Sequence, residues 1–208
     1  MIYNKILTNY KKQKLFSLLI DPEQYDQKSL EHVVELANES ELDFILVGGS
    51  LLSDTLDHIV KMIKNFTDIP IVLFPGNLMQ ISHHADAILF LSLISGRNPE
   101  LLIGNHVLAA NMLKKSRLEV IPTGYILVNG GHTSSVEYIS NTKPIPVNKY
   151  DIIASTALAG ELLGHRLIYL ESGSGACQSI YSEAIQHVKK HINIPLAVGG
   201  GLKTPEDV

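Results

Sequence analysis

Three consecutive glycines, Gly199-Gly200-Gly201, follow the apolar run Pro195 to Val198 and precede Leu202-Lys203. With no Cβ in the way, such a run lets backbone N–H groups close on an anion, which points to a phosphate site. A second run of small residues, Gly173-Ser174-Gly175, follows Tyr169-Leu170-Glu171-Ser172 and can add N–H and hydroxyl donors to the same phosphate. Glu171 stands between a strand-like run and that loop. A carboxylate beside a phosphate pocket can grip a substrate hydroxyl or take its proton. Asp21 closes the apolar run Leu15 to Ile20 and precedes Pro22. It is either a helix-capping aspartate or a Mg²⁺ ligand, because magnesium needs few protein oxygens when substrate phosphates supply the rest. Ser50, after Gly48-Gly49, either caps a helix starting at Leu51 or turns its hydroxyl toward the same ion.

Other reactive residue types carry weaker patterns. His187 and His191 are four apart near the end of a helical pattern, a spacing that fits charge–dipole compensation better than zinc. His83 and His84 are adjacent, so their side chains diverge. Cys177 falls near an expected helix start, where its thiol would be somewhat acidic. No Ser/His/Asp pattern stands at a strand end, and there is no Walker loop and no GxGxxG.

The elements that must position these residues alternate regularly. Strands are expected over 15–20, 44–47, 70–74, 87–91, 119–128, 167–170 and 195–198, each an almost continuous apolar run. Between them lie helical patterns. Leu30, Val33, Val34 and Ala37 repeat at helical spacing with Ser29 as the expected N-cap. Leu52, Thr55, Leu56, Ile59 and Ile63 share a face of a helix over 51–65. Asn98-Pro99-Glu100 opens a third helix running to about Ser116. Helices are also expected over 152–163 and 179–191. Apolar strands separated by helices indicate a parallel sheet buried on both faces. The count favours an α/β (βα)₈ TIM barrel, in which function sits at the C-terminal strand ends and a phosphate site follows the last strands. An open doubly wound sheet is the alternative.

Two irregularities stand out. Only twelve residues separate Phe74 from Ala87. That leaves little room for a regular cover helix, so either a single short helical turn fills the gap or this side of a barrel is left partly bare. Leu78, Met79 and Ile81 would then be available to line a groove. The close, Thr204-Pro205-Glu206-Asp207-Val208, reads as the opening of a helix. A closed barrel needs that helix and an eighth strand, so the chain is expected to stop short of both.

Composition narrows the class. The 208 residues carry 17 basic and 21 acidic side chains, a net charge of −4, with 45% apolar and 18% charged residues. That is too apolar for disorder and too acidic for a protein that works by neutralising nucleic-acid phosphates. One cysteine excludes a disulfide framework. The N-terminus lacks a signal peptide pattern, and the best apolar run, Ile88 to Ile94, is far below the roughly 18 residues of a membrane span. The expectation is a soluble, cytoplasmic, single-domain protein over 1–208.

Several segments, in order, resemble one family. They are Leu18-Leu19-Ile20-Asp21-Pro22, Val47-Gly48-Gly49-Ser50, Ser95-Gly96-Arg97-Asn98-Pro99-Glu100, Ile121 to Leu127, Tyr169 to Ala176, and Val198 to Gly201. Together they are similar to the geranylgeranylglyceryl phosphate synthases, prenyltransferases that include bacterial heptaprenylglyceryl phosphate synthases. The Arg97-Asn98-Pro99 segment is most like the second of the family's two groups. The resemblance implies an enzyme that joins sn-glycerol 1-phosphate to a polyprenyl diphosphate, geranylgeranyl diphosphate above all, with Mg²⁺ as cofactor and an ether-lipid precursor as product. It implies Asp21 and Ser50 at the magnesium site. Tyr169, Leu170, Glu171, Ser172, Gly173, Ser174 and Gly175 match the glycerol-phosphate segment, and Gly200 and Gly201 the second phosphate element. Glu171 and Tyr169 would be catalytic, Glu171 taking the hydroxyl proton and Tyr169 positioning the glycerol. Arg97 would contact the diphosphate or stand solvated beside the Asn98 cap, and Tyr125 would face the prenyl channel or fill the barrel interior. A barrel whose third helix is reduced or replaced by a loop or strand, a homo-oligomer and transient membrane contact are further implications. Helical prenyl synthases use paired aspartate-rich motifs, and Asp54 with Asp57 is the only close pair here.

Two other readings are carried beside it. One is a phosphate-binding barrel isomerase or lyase acting on a sugar phosphate; Lys14 and Lys203 are poorly placed for its Schiff-base chemistry. The other is a non-catalytic phosphate- or lipid-binding module.

Overall fold

In the computed structural model, residues 1–51, 55–77, 80–204 and 207 are described. Leu52, Asp54, Leu78, Met79, Pro205, Glu206 and Val208, which entered the expectations above, lie outside them.

The elements among the described residues run α1 (Ile2–Asn9), β1 (Ser17–Ile20), α2 (Gln27–Glu39), β2 (Phe44–Val47), α3 (Leu56–Lys64), β3 (Ile71–Leu73), β4 (Ala87–Leu93), α4 (Asn105–Lys115), β5 (Glu119–Leu127), α5 (Ser135–Ser140), α6 (Tyr150–Leu162), β6 (Leu167–Glu171), α7 (Ser182–Lys189) and β7 (Leu196–Gly199). Strand order in the sheet is β1-β2-β3-β4-β5-β6-β7. The registered pairs β1–β2, β2–β3, β3–β4, β5–β6 and β6–β7 are all parallel. The α/β class and the sequential parallel order of a (βα)₈-type fold are thus as expected. The chain divides into two compact units, residues 1–90 with 107–121, and 91–106 with 122–208.

In the first unit, Phe44–Val47 is buried on both faces. Its core joins Ile20, Ile45, Val47, Ile71 and Leu73 to Leu30, Val34 and Ala37 of α2 and to Leu56, Val60 and Ile63 of α3. The N-cap of α2 is Asp26, whose carboxylate accepts from the Ser29 N–H at 2.8 Å; Ser29, expected as the cap, sits inside the first turn. Helix α3 starts at Leu56 rather than Leu51, so Ser50 does not cap it. Helix α1 was not anticipated. The Glu119 carboxylate accepts from the Ile2 and Tyr3 N–H groups, a long-range cap that local pattern does not reveal. Between β3 and β4 no α-helix is present among the described residues. Instead the connection is tied down by single contacts. Ser82 Oγ donates to Asp57 at 2.6 Å, Asp86 accepts from the Ile71 N–H at 2.8 Å, and Lys64 pairs with Asp86 at 2.8 Å. Ile81 is half-buried and packs against this core.

In the second unit, Ile126, Ile168 and Leu170 pack against Ile153, Ala154 and Ala157 of α6 and Ala184 and Val188 of α7. Asn98 caps its helical segment by accepting from the Glu100 N–H at 3.1 Å, as expected, and its amide donates to Ser140 O. The first turn, Glu100–Gly104, is a π-helical stretch. Helix α7 begins at Ser182, so exposed Cys177 lies in a loop and not at a helix start.

Candidate active site

The period-two alternation of β6 sets the second unit's site. Ile168 and Leu170 point into the core under α6 and α7, so Tyr169 and Glu171 take the opposite face. Register aligns Tyr125, Tyr169 and Ala197 on one rung, and Leu127, Glu171 and Gly199 on the next. The small β7 residues leave room beside the two polar side chains. The Tyr125 and Tyr169 rings stack with centroids 5.8 Å apart and planes 11° from parallel. Tyr125 is 6% exposed and belongs to this interior layer.

Glu171 is only 6% exposed. Its Oε1 accepts from the Gly173 N–H at 2.7 Å, a local bond that holds the carboxylate over the loop it precedes. Burial pushes the carboxyl up to about 7, and the Gly173 N–H moderates that rise. At neutral pH the group is therefore poised between acid and base, as a proton acceptor for a hydroxyl should be. Burial first, and the charge of Glu171 second, raise the Tyr169 phenol far above its ordinary range. Tyr169 therefore acts as a neutral hydroxyl.

The glycine runs fit these side chains closely. A Cβ on Gly199 would strike the Tyr169 hydroxyl. A Cβ on Gly200, whose φ is +80°, would strike Glu171 Oε1, and would lie 2.6 Å from Ser172 Oγ and 2.8 Å from Gly173 N. Gly173, at φ +99°, leaves no room for a side chain beside Ser134. Ser134, a buried residue that the sequence reading passed over, also caps α5. Ser174 and Gly175 are exposed, and open space surrounds Gly175. Ser172 is buried, with its N–H and hydroxyl both directed at Gly199 O, at 3.1 and 3.4 Å. The unit thus brings together Tyr169, Glu171, Ser172, Gly173, Gly199 and Gly200. Leu170 is different: its side chain is wholly buried in the core, leaving only its backbone for any ligand.

The first unit carries the other set. Asp21 lies at the end of β1, and its carboxylate rests against the Cα of Gly49, where a Cβ would be 2.8 Å from Oδ1. Oδ1 accepts from the Glu23 N–H and Oδ2 from the Gln24 side chain, both at 3.2 Å. The capping role weighed from sequence is therefore real, over a 3₁₀ turn at Pro22–Gln24. Each oxygen still has a second lone pair. Ser50 follows Gly49, the glycine on which the carboxylate rests, directly in the chain. Among the described residues no group of three or more His, Cys, Asp or Glu gathers for a metal. One carboxylate and one hydroxyl suit a magnesium ion that takes its remaining oxygens from a diphosphate and water. Arg97, in the second unit, is exposed and folds its guanidinium onto Gly96 O at 2.7 Å.

Sequence reasoning missed Gln80. It is wholly buried in the connection after β3, with hydrogen bonds to Gly49 and Gly76.

The PcrB family model matches residues 8–208. A protein of Chitinophaga pinensis named geranylgeranylglyceryl phosphate synthase is 46% identical over 207 residues, 99% of this chain and 82% of that one. The solved wild-type GGGPS from Thermoplasma volcanium is 35% identical, with a TM-score of 0.94 over 100% of this chain and 83% of that one. The (S)-3-O-geranylgeranylglyceryl phosphate synthase from Thermoplasma acidophilum, solved in complex with its substrate sn-glycerol-1-phosphate, is 34% identical, with a TM-score of 0.94 over 99% of this chain and 83% of that one. The chain belongs to the PcrB family, among relatives that carry the name geranylgeranylglyceryl phosphate synthase.

Proposed function

We propose that this protein is a prenyltransferase that joins sn-glycerol 1-phosphate to a polyprenyl diphosphate, geranylgeranyl diphosphate above all. The observation that carries the reading is the buried Glu171 carboxylate, held by the Gly173 N–H at 2.7 Å with Gly200 packed against it. The backbone of Gly173 to Gly175 and of Gly200-Gly201 would take the phosphate. Tyr169 would orient the glycerol portion through its neutral hydroxyl.

In the reaction, the bond between the allylic carbon and the diphosphate breaks and the diphosphate leaves. The glycerol oxygen forms the new C–O bond, and its proton passes to a Glu171 carboxylate oxygen. An allylic centre needs a hydroxyl held close more than a strong base, so positioning carries most of the work on this side. Asp21 and Ser50 would hold magnesium. When bound, the ion supplies positive charge to the departing diphosphate. The prenyl tail supplies ample binding energy, at roughly 0.8 kcal/mol for each buried CH₂.

Cytoplasmic location, self-association and passing contact with a membrane surface are further parts of this reading. No helix among the described residues is long and apolar enough to cross a membrane. Val107, Leu108 and Met112 of α4 are exposed, which supports a second copy covering that helix. Light scattering on the purified protein measures that state directly, and a monomer at all concentrations removes this part.

Release of diphosphate from geranylgeranyl diphosphate tests the reaction. Release should require glycerol 1-phosphate, stop in EDTA and return with Mg²⁺. Release without the glycerol substrate would mark a hydrolase. No release under any condition would favour a binding module.

A further inference from the structure

Gln80 is 0% exposed, and among the described residues its amide bonds to the backbone of strand-end turns. Nε2 donates to Gly49 O at 2.6 Å. Oε1 accepts from the N–H groups of Gly49 and Gly76, each at 3.1 Å. One acceptor facing two N–H groups and one donor facing a carbonyl fix the orientation of the amide. The arrangement does what a neighbouring strand would do. The Phe74 N–H still bonds to Val47 O at 2.9 Å, and beyond it the Gln80 side chain takes over both polar groups of the Gly49 peptide. The glycines here allow no slack: a Cβ on Gly76 would strike Gly49 O, and one on Gly48 would strike Phe74 O. Gly49 is also the residue on which the Asp21 carboxylate rests, and Ser50 is the next in the chain.

We propose that Gln80 is a positioning residue for the cation and diphosphate half of the reaction. It fixes the Gly49–Ser50 turn and, through Gly49, the seat of the Asp21 carboxylate. This rests on the prenyltransferase reading given above. Gln80 itself touches neither substrate; it replaces, with one buried amide, the support that a regular connection after β3 would give. The neutral amide is required. Gln80→Glu keeps the two acceptor bonds but sets a carboxylate oxygen against Gly49 O. Gln80→Leu removes the shared partner of two N–H groups and one carbonyl and leaves the half-buried Gly49 and exposed Gly76 turns to water.

The test measures binding as well as turnover. Mn²⁺ serves as a paramagnetic substitute for Mg²⁺, together with a non-ionising prenyl thiodiphosphate. Removing supporting contacts behind a metal ligand typically weakens metal affinity about 10- to 100-fold. Gln80→Leu should fall in that range for Mn²⁺, with Gln80→Glu affected less. The KM for prenyl diphosphate should rise in parallel, and the KM for glycerol 1-phosphate should stay within about twofold of wild type. Folded variants that bind Mn²⁺ and thiodiphosphate like wild type overturn the proposal, as does an equal rise in both KM values. A measurement on unaltered protein stands beside these in case the variants do not fold. The Gln80 side-chain amide resonances should shift when Mg²⁺ and thiodiphosphate bind, and should not shift with glycerol 1-phosphate. Absence of the first shift overturns the proposal. Wild-type protein that transfers prenyl groups while Gln80 variants bind normally removes this inference alone. Wild-type protein that transfers nothing removes the reading beneath it.

Discussion

Replacing Glu171 by glutamine should make the protein more stable and less active, and the gain should depend on pH. The wild-type carboxyl rises from 4.5 to about 7 on folding because it is buried. Folding is thus undisturbed below about pH 4.5, loses stability steadily as pH rises from there to about 7, and changes little above that, because the unfolded chain ionises first. At about 1.4 kcal/mol per pH unit, the ionised carboxylate costs the folded state about 3 kcal/mol above pH 8. Glutamine keeps an oxygen for the Gly173 N–H and carries no charge, so the variant avoids that cost. Urea unfolding of both proteins at pH 5, 7 and 9 measures the difference. It should be about 1 kcal/mol in favour of the variant at pH 5, about 3 kcal/mol at pH 7 and only slightly more at pH 9. For a chain of this length that corresponds to a gain of roughly 6–12 °C in melting temperature at the upper pH. Prenyl transfer by the variant should be nearly abolished at every pH. A stability difference that is flat with pH, or that favours wild type at pH 9, would refute the reasoning.

Three further outcomes follow from the same contacts. In wild type, kcat/KM for glycerol 1-phosphate should rise with pH through about 7 as Glu171 ionises, and the rise should be absent from the residual activity of Glu171→Gln. Gly200→Ala places a methyl group against Glu171 and Ser172 at a positive φ; it should lower kcat/KM by about 100-fold and destabilise by roughly 1–3 kcal/mol, measured by steady-state kinetics and urea titration. Leu170→Ala should cost about 2–5 kcal/mol in the same titration, because its side chain is wholly buried. Its KM values below the melting transition should nonetheless stay near wild type, since Leu170 gives any ligand only its backbone.

The strands were legible because most are short apolar runs, several of them closed by glycine or proline; β2 begins and ends where the pattern does, at Phe44 and Val47. Helix boundaries were less so. Asp26 outcompetes Ser29 as a cap because its carboxylate can accept from the N–H of Ser29 itself. The start of α1 depends on Glu119, more than a hundred residues away, and no local pattern carries that. At the site, Tyr169, Glu171 and the glycines could be read because period two and the lack of Cβ atoms are properties of the chain. Leu170 was included by adjacency, whereas the pleat turns it into the core. Gln80 was invisible, since a lone glutamine in a loop looks solvated until the turns around it are in place.

The central claim is that the Glu171 pocket accepts a glycerol phosphate and forms an ether with a prenyl group. Mass spectrometry of reactions with Mg²⁺, prenyl diphosphates of several lengths and either sn-1 or sn-3 glycerol phosphate tests it most directly. A prenylglyceryl phosphate should form from the sn-1 isomer alone and fall to a trace with Glu171→Gln. Product formed equally from both isomers, formed unchanged by Glu171→Gln, or never formed with any tail would contradict it.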